Sequence, residues 1–419
     1  MGFTFVHAAD LHLDSPLRSL SAAEPLAGIL RSATFVALDR IVSLCLERKA
    51  ELLVLAGDLF DAKDRSIRAR LALRAAVERL DRGGVRTFIV HGNHDPLTED
   101  VRALVLPPSA HVFGPQWEEV LVRRGDAVLC RVQGISYPQE KMTADLSHHF
   151  HRVGPELTIG ALHCNLSAFP GHTSHANYAP CTPADLGERG LDYWALGHLH
   201  NHGETDLPGG GVAVYPGNPQ GRHPQEVGPK GCVVVEVEGA RMRRKFVPVD
   251  PVRWHEVPVD IASASTIDAL ADLVAAQVAG ACEAAASAEG RTFQAHAVRV
   301  TLDGAGPLHA EVAAPGALED LERHLREALA ARSPPVALEW LVESTRPALD
   351  VRAIRRRGGL SAEVLQADAS PWPADLKALD LQLQRAGVPR LSVDGARAAA
   401  LVESARQRAL ELLEEGGTP

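Results

Sequence analysis

The sequence predicts an α/β protein: a two-sheet αββα sandwich, then a small α/β capping domain and a helical tail. Three observations lead there. Residues 3–90 alternate apolar strand-like runs with amphipathic helix-like runs in the order β-α-β-α-β, which implies parallel pairing with right-handed crossovers. Strand-like runs then dominate from 127 to 249 with few helical stretches between them, which implies a second, more antiparallel sheet packed on the first. Near Pro248-Val249-Asp250-Pro251 the character changes to a smaller strand-and-helix unit without catalytic-looking residues. Domains are therefore expected at 1–250, 251–346 and 347–419, the last a helical segment suited to binding a partner.

In order, residues 3–9 read as a strand that ends in Asp10-Leu11-His12. On an extended segment i and i+2 share a face, so both side chains can reach one ion. Residues 34–49 carry Phe35, Leu38, Ile41, Val42 and Leu46 at helical spacing. The apolar run 51–56 reads as a buried strand. Gly57 then lets the chain turn, and Asp58 projects from the strand's carboxyl end, where open α/β sheets place ligand sites. Residues 66–82 form an Arg-rich amphipathic helix stopped by Gly83-Gly84, and 86–90 a third strand. Strands are expected at 127–134, 157–162, 193–196, 212–215, 231–237 and 241–249. In the later part 256–261, 297–302 and 336–342 read as strands, and 266–286 and 317–331 as helices. A basic patch (Arg352 and Arg355-Arg356-Arg357), a Pro371-Trp372-Pro373 turn and a helix over 393–415 close the chain.

Length and composition narrow the class. The chain has 419 residues and 46% apolar content, enough for two or three domains with real cores. No uncharged apolar run reaches the ~18 residues of a membrane-spanning helix, so no membrane is expected. The N-terminus lacks the basic region of a signal peptide, and Val6 stands where myristoylation wants Ser or Thr. The six cysteines are scattered without a CxxC pair, which suits a reduced, cytoplasmic protein. Cys164 follows His163 but on a strand points to the opposite face, so it reads as structural. The net charge of -10 is not that of a basic nucleic-acid binder. However, several acids in the first part would be metal ligands, and two divalent ions would offset them locally. Fifteen of the 19 histidines precede residue 251, which puts the chemistry there.

Five motifs carry that chemistry: Asp10-Leu11-His12, Gly57-Asp58, Gly92-Asn93-His94-Asp95, His163, and Gly197-His198-Leu199-His200. Singly, each has a bland reading as a turn, an Asx-held loop or a core histidine. Together, each behind an apolar run, they point to one metal centre. Nitrogen and oxygen donors without a thiolate suit Mn, Fe or Zn. A carboxylate bridging two ions about 3.5–4 Å apart, here Asp58, serves in-line attack on phosphorus by a metal-bound hydroxide.

This set resembles the five motifs of the calcineurin-like metallophosphoesterases. The resemblance implies that Asp10, His12, Asp58 and His200 hold a first ion and Asp58, Asn93, His163 and His198 a second. Mn2+ leads, with Fe, Zn or Mg as alternatives. It further implies that His94, oriented by Asp95, is the non-ligand histidine that stabilises the transition state or protonates the leaving oxygen. Within that superfamily the chain resembles the DNA-repair exonuclease branch, SbcD-type and especially YhaO-like. The residues that carry this are the opening from Phe5 to Asp14, the stretch Tyr215-Pro216-Gly217-Asn218-Pro219-Gln220-Gly221-Arg222-His223 followed by Gly228-Pro229-Lys230-Gly231-Cys232, and the extension over 251–419.

That branch implies a DNA exonuclease, and an endonuclease besides, acting in DNA repair with an SMC-like ATPase of the SbcC/YhaN type. SbcD-type nucleases are commonly dimers, so a homodimer is expected too. No GxxxxGK[ST] loop is present, so an ATP-driven step needs another chain. Arg222 and His223 are candidate contacts to substrate phosphate. For 241–245 and 355–357, a solvated edge or loop outweighs DNA contact. Two alternatives remain open: hydrolysis of a small phosphodiester, nucleotide or phosphoprotein, and a non-catalytic scaffold.

Overall fold

A computed structural model describes residues 2–17, 20, 22–61, 66–97, 104–167, 169, 176–239, 241–366 and parts of 402–414. The Pro371-Trp372-Pro373 turn and most of the helix expected over 393–415 lie outside the described residues.

β1 (Phe3–Ala8), β2 (Leu52–Ala56) and β3 (Arg86–Val90) are linked through α1 (Leu26–Glu47) and α2 (Ile67–Arg82). They pair in parallel, and β4 (Ala110–Val112) extends the ladder beyond β3. Both faces of these strands are covered. Val6, Leu53, Leu55 and Ile89 meet Leu38, Ile41 and Val42 of α1 and Leu73, Val77 and Leu80 of α2. Phe5, Val54, Phe88 and Val90 face a second sheet. Two-sided burial is why these strands are unbroken apolar runs. α1 begins at Leu26, eight residues before the expected start at 34. Its first turns (Leu26, Leu30, Ala33) pack with Val252, Trp254, Ala295 and Ala337, a different surface from its later turns.

The second sheet holds β5 (Glu118–Arg124), β6 (Ala127–Ile135), β7 (Leu157–His163), β8 (Tyr193–Gly197), β9 (Gly203–Asp206) and β10 (Val212–Tyr215), in the order β5-β6-β7-β8-β10-β9. Its inner pairings, β6 with β7, β7 with β8 and β8 with β10, are parallel. Only its rim pairings, β5 with β6 and β9 with β10, are antiparallel. The expectation of a more antiparallel sheet is thus corrected. Among the described residues the crossovers run through loops, a 3-10 turn (Ser147–His149) and the six-residue α3 (Pro183–Glu188), which offer no long 3.6-residue periodicity to read. These segments cover the sheet's outer face with Tyr137, Phe150, Leu166 and Leu186.

β11 (Gly231–Glu238) and β12 (Arg241–Pro248), expected in the second sheet, return to the first. β11 lies antiparallel beside β1, and β12 closes the edge. β12 exposes Arg241, Arg243 and Lys245, the charged edge that blocks further strand addition.

The chain forms two compact units: residues 1–257, 275–300 and 322–341, and residues 258–274, 301–321 and 342–419. Past residue 250, β13 (Val252–Asp260), β14 (Ala295–Asp303) and a strand over Val336–Glu343 make a three-stranded sheet in that order. α4 (Ile267–Glu289) is long and apolar enough to cross a membrane by composition alone. It buries Leu270, Val274, Val278 and Cys282 at steps of four, the stripe of a core helix. In the second unit the helix Val351–Arg357, capped by Asp350, exposes Arg352, Arg355, Arg356 and Arg357, and Arg357 pairs with Glu414.

Candidate active site

The predicted ligands all sit at the carboxyl ends of parallel strands. Asp10 and His12 follow β1, Asp58 follows β2, Asn93, His94 and Asp95 follow β3, His163 ends β7, and His198 and His200 follow β8. Two backbone bonds extend the β1–β2 pairing past the strands, Asp10 N–H to Gly57 O and His12 N–H to Asp58 O, each 3.0 Å. The expected extended geometry over 10–12 is not what forms. Asp10 (φ 54), His12 (φ 41), Asp58 (φ 51) and His198 (φ 109) all take left-handed backbone, which costs a non-glycine residue on the order of 1 kcal/mol or more. Gly57 (φ 93) and Gly92 are spacers: a Cβ on the first would collide with the His163 ring, and on the second with the Asp58 carboxylate.

The side chains converge. Ligand atoms of Asp10, Asp58 and His163 lie within 4.8 Å of one another, as do those of Asp10, His12 and His200. Asp58 Oδ2 is 3.4 Å from His163 Nε2 and 3.8 Å from His12 Nε2. That is the position of a bridge between two ions. Asn93 Oδ1 is 3.1 Å from His163 Nε2, and the His198 ring stands edge-on to His163 at 5.2 Å.

Three imidazoles have Nδ1 against an oxygen: His12 on Asp61 (3.1 Å), His200 on Glu226 (2.6 Å) and His163 on the Ala56 carbonyl (3.0 Å). Such bonds fix the tautomer and turn Nε2 towards the cavity as the ligand atom. His198 differs, since its Nε2 donates to the Ala176 carbonyl at 2.7 Å. His12 Nε2 is buried with no hydrogen-bond partner, a costly state for a polar atom that coordination to an ion relieves. These residues therefore fit a pair of divalent ions. Cys164 is buried with Tyr215 and Cys181 in the core outside the second sheet.

The charges agree. Burial would raise the Asp58 carboxyl, but His163, His12 and His94 around it hold it well below the usual range. Burial lifts Asp10 to about 6 against the pull of His163 and His200. Burial would lower His163, yet Asp58 and Asp10 push it up to about 10. Without metal, a proton on His163 supplies the positive charge these carboxylates demand.

Residues 3–202 match the calcineurin-like phosphoesterase family, and residues 254–346 match the middle domain of metallophosphoesterase YhaO. The chain carries a calcineurin-like metallophosphoesterase domain and a YhaO-like middle domain. It is 34% identical over 276 residues to an uncharacterized metallophosphoesterase, YhaO, of Bacillus subtilis, a match covering 65% of this chain and 66% of that protein. It is 21% identical over 244 residues to the DNA double-strand break repair protein Mre11 of Sulfolobus acidocaldarius (56% and 60% covered). It is 27% identical over 260 residues to Mre11 of Methanopyrus kandleri (58% and 53% covered). The matches thus span just under two thirds, or less, of each relative's length.

His94, at the cavity mouth, has a partner that sequence reasoning missed. His94 is nearly half exposed, and its Nδ1 is 2.6 Å from Asp61 Oδ1. Burial would lower its pKa, but Asp61 and Asp58 raise it. Asp61 also accepts from Ser15 Oγ and bonds His12, so it holds His12 and His94 at once.

Asp95, expected to orient His94, does not. Its carboxylate takes the Gly92 and Leu59 N–H groups, both at 2.9 Å, and His91 Nδ1 at 3.0 Å. It holds the 91–95 loop onto the 58–61 loop. The Gly57-Asp58-Leu59-Phe60-Asp61 spacing was the available signal for Asp61.

Arg222 is placed at the cavity. Its Nη1 is 3.7 Å from Asp61 Oδ2, and its Nε is buried without a partner. His223 is exposed, with Nδ1 accepting from Gln225 N–H inside its own turn. Glu226 and Lys230 were not anticipated. Glu226 bonds His200, Asn218 Nδ2 and the Arg222 N–H. Lys230 Nζ donates to the His200 carbonyl (2.7 Å) and Asn201 Oδ1 (3.0 Å).

Proposed function

We propose that this metallophosphoesterase is a two-metal phosphodiesterase that degrades DNA, as an exonuclease and also as an endonuclease, in repair. The observation that carries the reading is the convergence of the ligand set on Asp58 with His94 held beside it by Asp61. Asp10, His12, Asp58 and His200 would hold one ion, and Asp58, Asn93, His163 and His198 the other, with manganese first for this donor set. When bound, the ions ionise a water at neutral pH and neutralise charge developing on the phosphoryl oxygens.

The chain's own residues do the rest. Asp61 keeps a proton on His94, whose exposed Nε2–H donates it to the departing oxygen. Arg222, with an unengaged Nε at the cavity wall, binds a non-bridging phosphate oxygen. DNA as substrate is supported by the Mre11 relatives, which are named for double-strand break repair. The reading includes an SMC-like ATPase partner, a homodimer and a cytoplasmic setting.

The test uses end-labelled linear duplex and single-stranded DNA with Mn2+, Mg2+ or EDTA, beside bis-para-nitrophenyl phosphate. Degradation of DNA with Mn2+ that is lost in Asp58→Ala and His94→Ala supports the reading. Cleavage of the small diester with DNA left intact, even with an ATPase partner added, overturns it in favour of a small-molecule phosphodiesterase.

A further inference from the structure

We propose that His255, Cys282 and His296 form a separate mononuclear site for Zn2+ or a similar thiophilic divalent ion. The three come from different elements: His255 from β13, Cys282 from α4 and His296 from β14. Their ligand atoms lie within 4.8 Å of one another.

His255 Nε2 and His296 Nδ1 face each other at 2.9 Å. A tetrahedral zinc with its usual bond lengths needs about 3.3 Å between two nitrogens and about 3.6 Å from nitrogen to sulfur. The nitrogens therefore need to part by only about 0.4 Å, and Cys282 Sγ to move inward by at most about 1.2 Å. A small turn about the cysteine χ1 is enough for that. His255 is half-buried and His296 and Cys282 are buried, so a fourth ligand, water, reaches the ion from the His255 side.

The electrostatics suit a ligand set at rest. Burial, and then Arg253, lower His255 to about 4. Burial, His255 and Arg253 lower His296 to about 3. Both imidazoles are thus neutral, the form that binds metal. Arg253 is no obstacle to a cation, because Asp250 and Glu289 grip it at 2.7 Å each. Burial pushes the Cys282 thiol up to about 11, so it enters as the thiol. Binding breaks its S–H bond, forms the metal–sulfur bond and releases one proton to solvent. The bound ion would tie β13, β14 and α4 together.

Cobalt distinguishes this site from the catalytic pair, whose donors include no thiolate. Full-length protein stripped with chelator and titrated with Co2+ is expected to develop a near-ultraviolet thiolate-to-cobalt charge-transfer band that saturates at about one equivalent, and Zn2+ should displace it. In Cys282→Ser the band should vanish while phosphodiesterase activity and the visible bands of the catalytic ions persist. His255→Gln provides the same readout if the serine variant fails to fold. Absence of the band in wild type, or its survival in either variant, overturns the proposal. Because activity is read in parallel, failure here is separable from failure of the nuclease reading.

Discussion

Two groups of ligand-type side chains share this chain and are built in opposite ways. The cavity at Asp58 draws on the carboxyl ends of five strands, puts four of its residues in left-handed backbone, and brings in carboxylates that include Asp10, Asp58, Asp61 and Glu226. The His255 group sits on two strands and a helix, and its imidazoles bond each other. The consequence is visible in the protons. Among carboxylates, buried His163 is driven up to about 10. Without them, buried His296 is driven down to about 3. Burial acts on both in the same direction, so the neighbouring charges decide whether an imidazole is a cation or a ligand in waiting.

Removing the bridging carboxylate should break the cavity outright. Asp58→Ala should lower activity by ~10^3-fold or more, since metal charge stabilisation contributes several kcal/mol, and metal content measured on the purified variant should fall with it. A variant with full metal content would end the bridging role. His94→Gln should cost ~10^2–10^4-fold in kcat, the range for a positioned general acid, with metal content unchanged. Loss of metal there would make His94 a ligand instead.

Asp61→Asn should cost ~10–100-fold through His94 and His12, and Asp95→Asn should act mainly on stability. Equal kcat losses in the two would restore Asp95 as the orienting residue. Glu226→Gln should weaken metal affinity ~10–100-fold through His200, read by calorimetric titration. An unchanged affinity would reduce Glu226 to a loop anchor.

A further test addresses the contrast in protons. His7, His255 and His296 are held at about 3, 4 and 3, below their unfolded value of about 6.5. Between those values the unfolded chain binds protons that the fold refuses, so the contribution of these three histidines is complete above pH ~6.5 and declines as pH falls towards 4. Fully buried His7 alone should account for ~2 kcal/mol between pH 7 and 5. Urea midpoints measured in chelator should fall less, or rise more, between pH 7 and 5 in His7→Gln than in wild type, and equal slopes would contradict a neutral His7.

The strands and the convergence of the candidate ligands were legible because each candidate follows an apolar run whose composition marks its strand. β1, β2, β3 and β10 lie within a residue of their expected bounds. Asp61 was not legible as the partner of His94, because the bond joins residues 33 apart on two separate loops, one of which turns through left-handed backbone at Gly57 and Asp58. The parallel interior of the second sheet was hidden because the described residues of its crossovers form no long amphipathic helix. His255, Cys282 and His296 were invisible for a related reason. They stand 27 and 14 residues apart with no CxxC or HxxxH pair to mark a metal motif, and the pairing of β13 with β14 and the return of α4 bring them together.

The left-handed backbone at Asp10, His12, Asp58 and His198 has an evolutionary consequence. Glycine would relax each of these positions, yet glycine cannot bind a metal. On the proposed reading, selection for metal binding is what holds Asp and His there against a standing conformational penalty. In a descendant that kept the fold for other contacts and no longer needed the ions, these four positions should be among the first to drift, and towards glycine. Glycine at 10, 12, 58 or 198 in such a lineage would date the loss of chemistry before any assay is run.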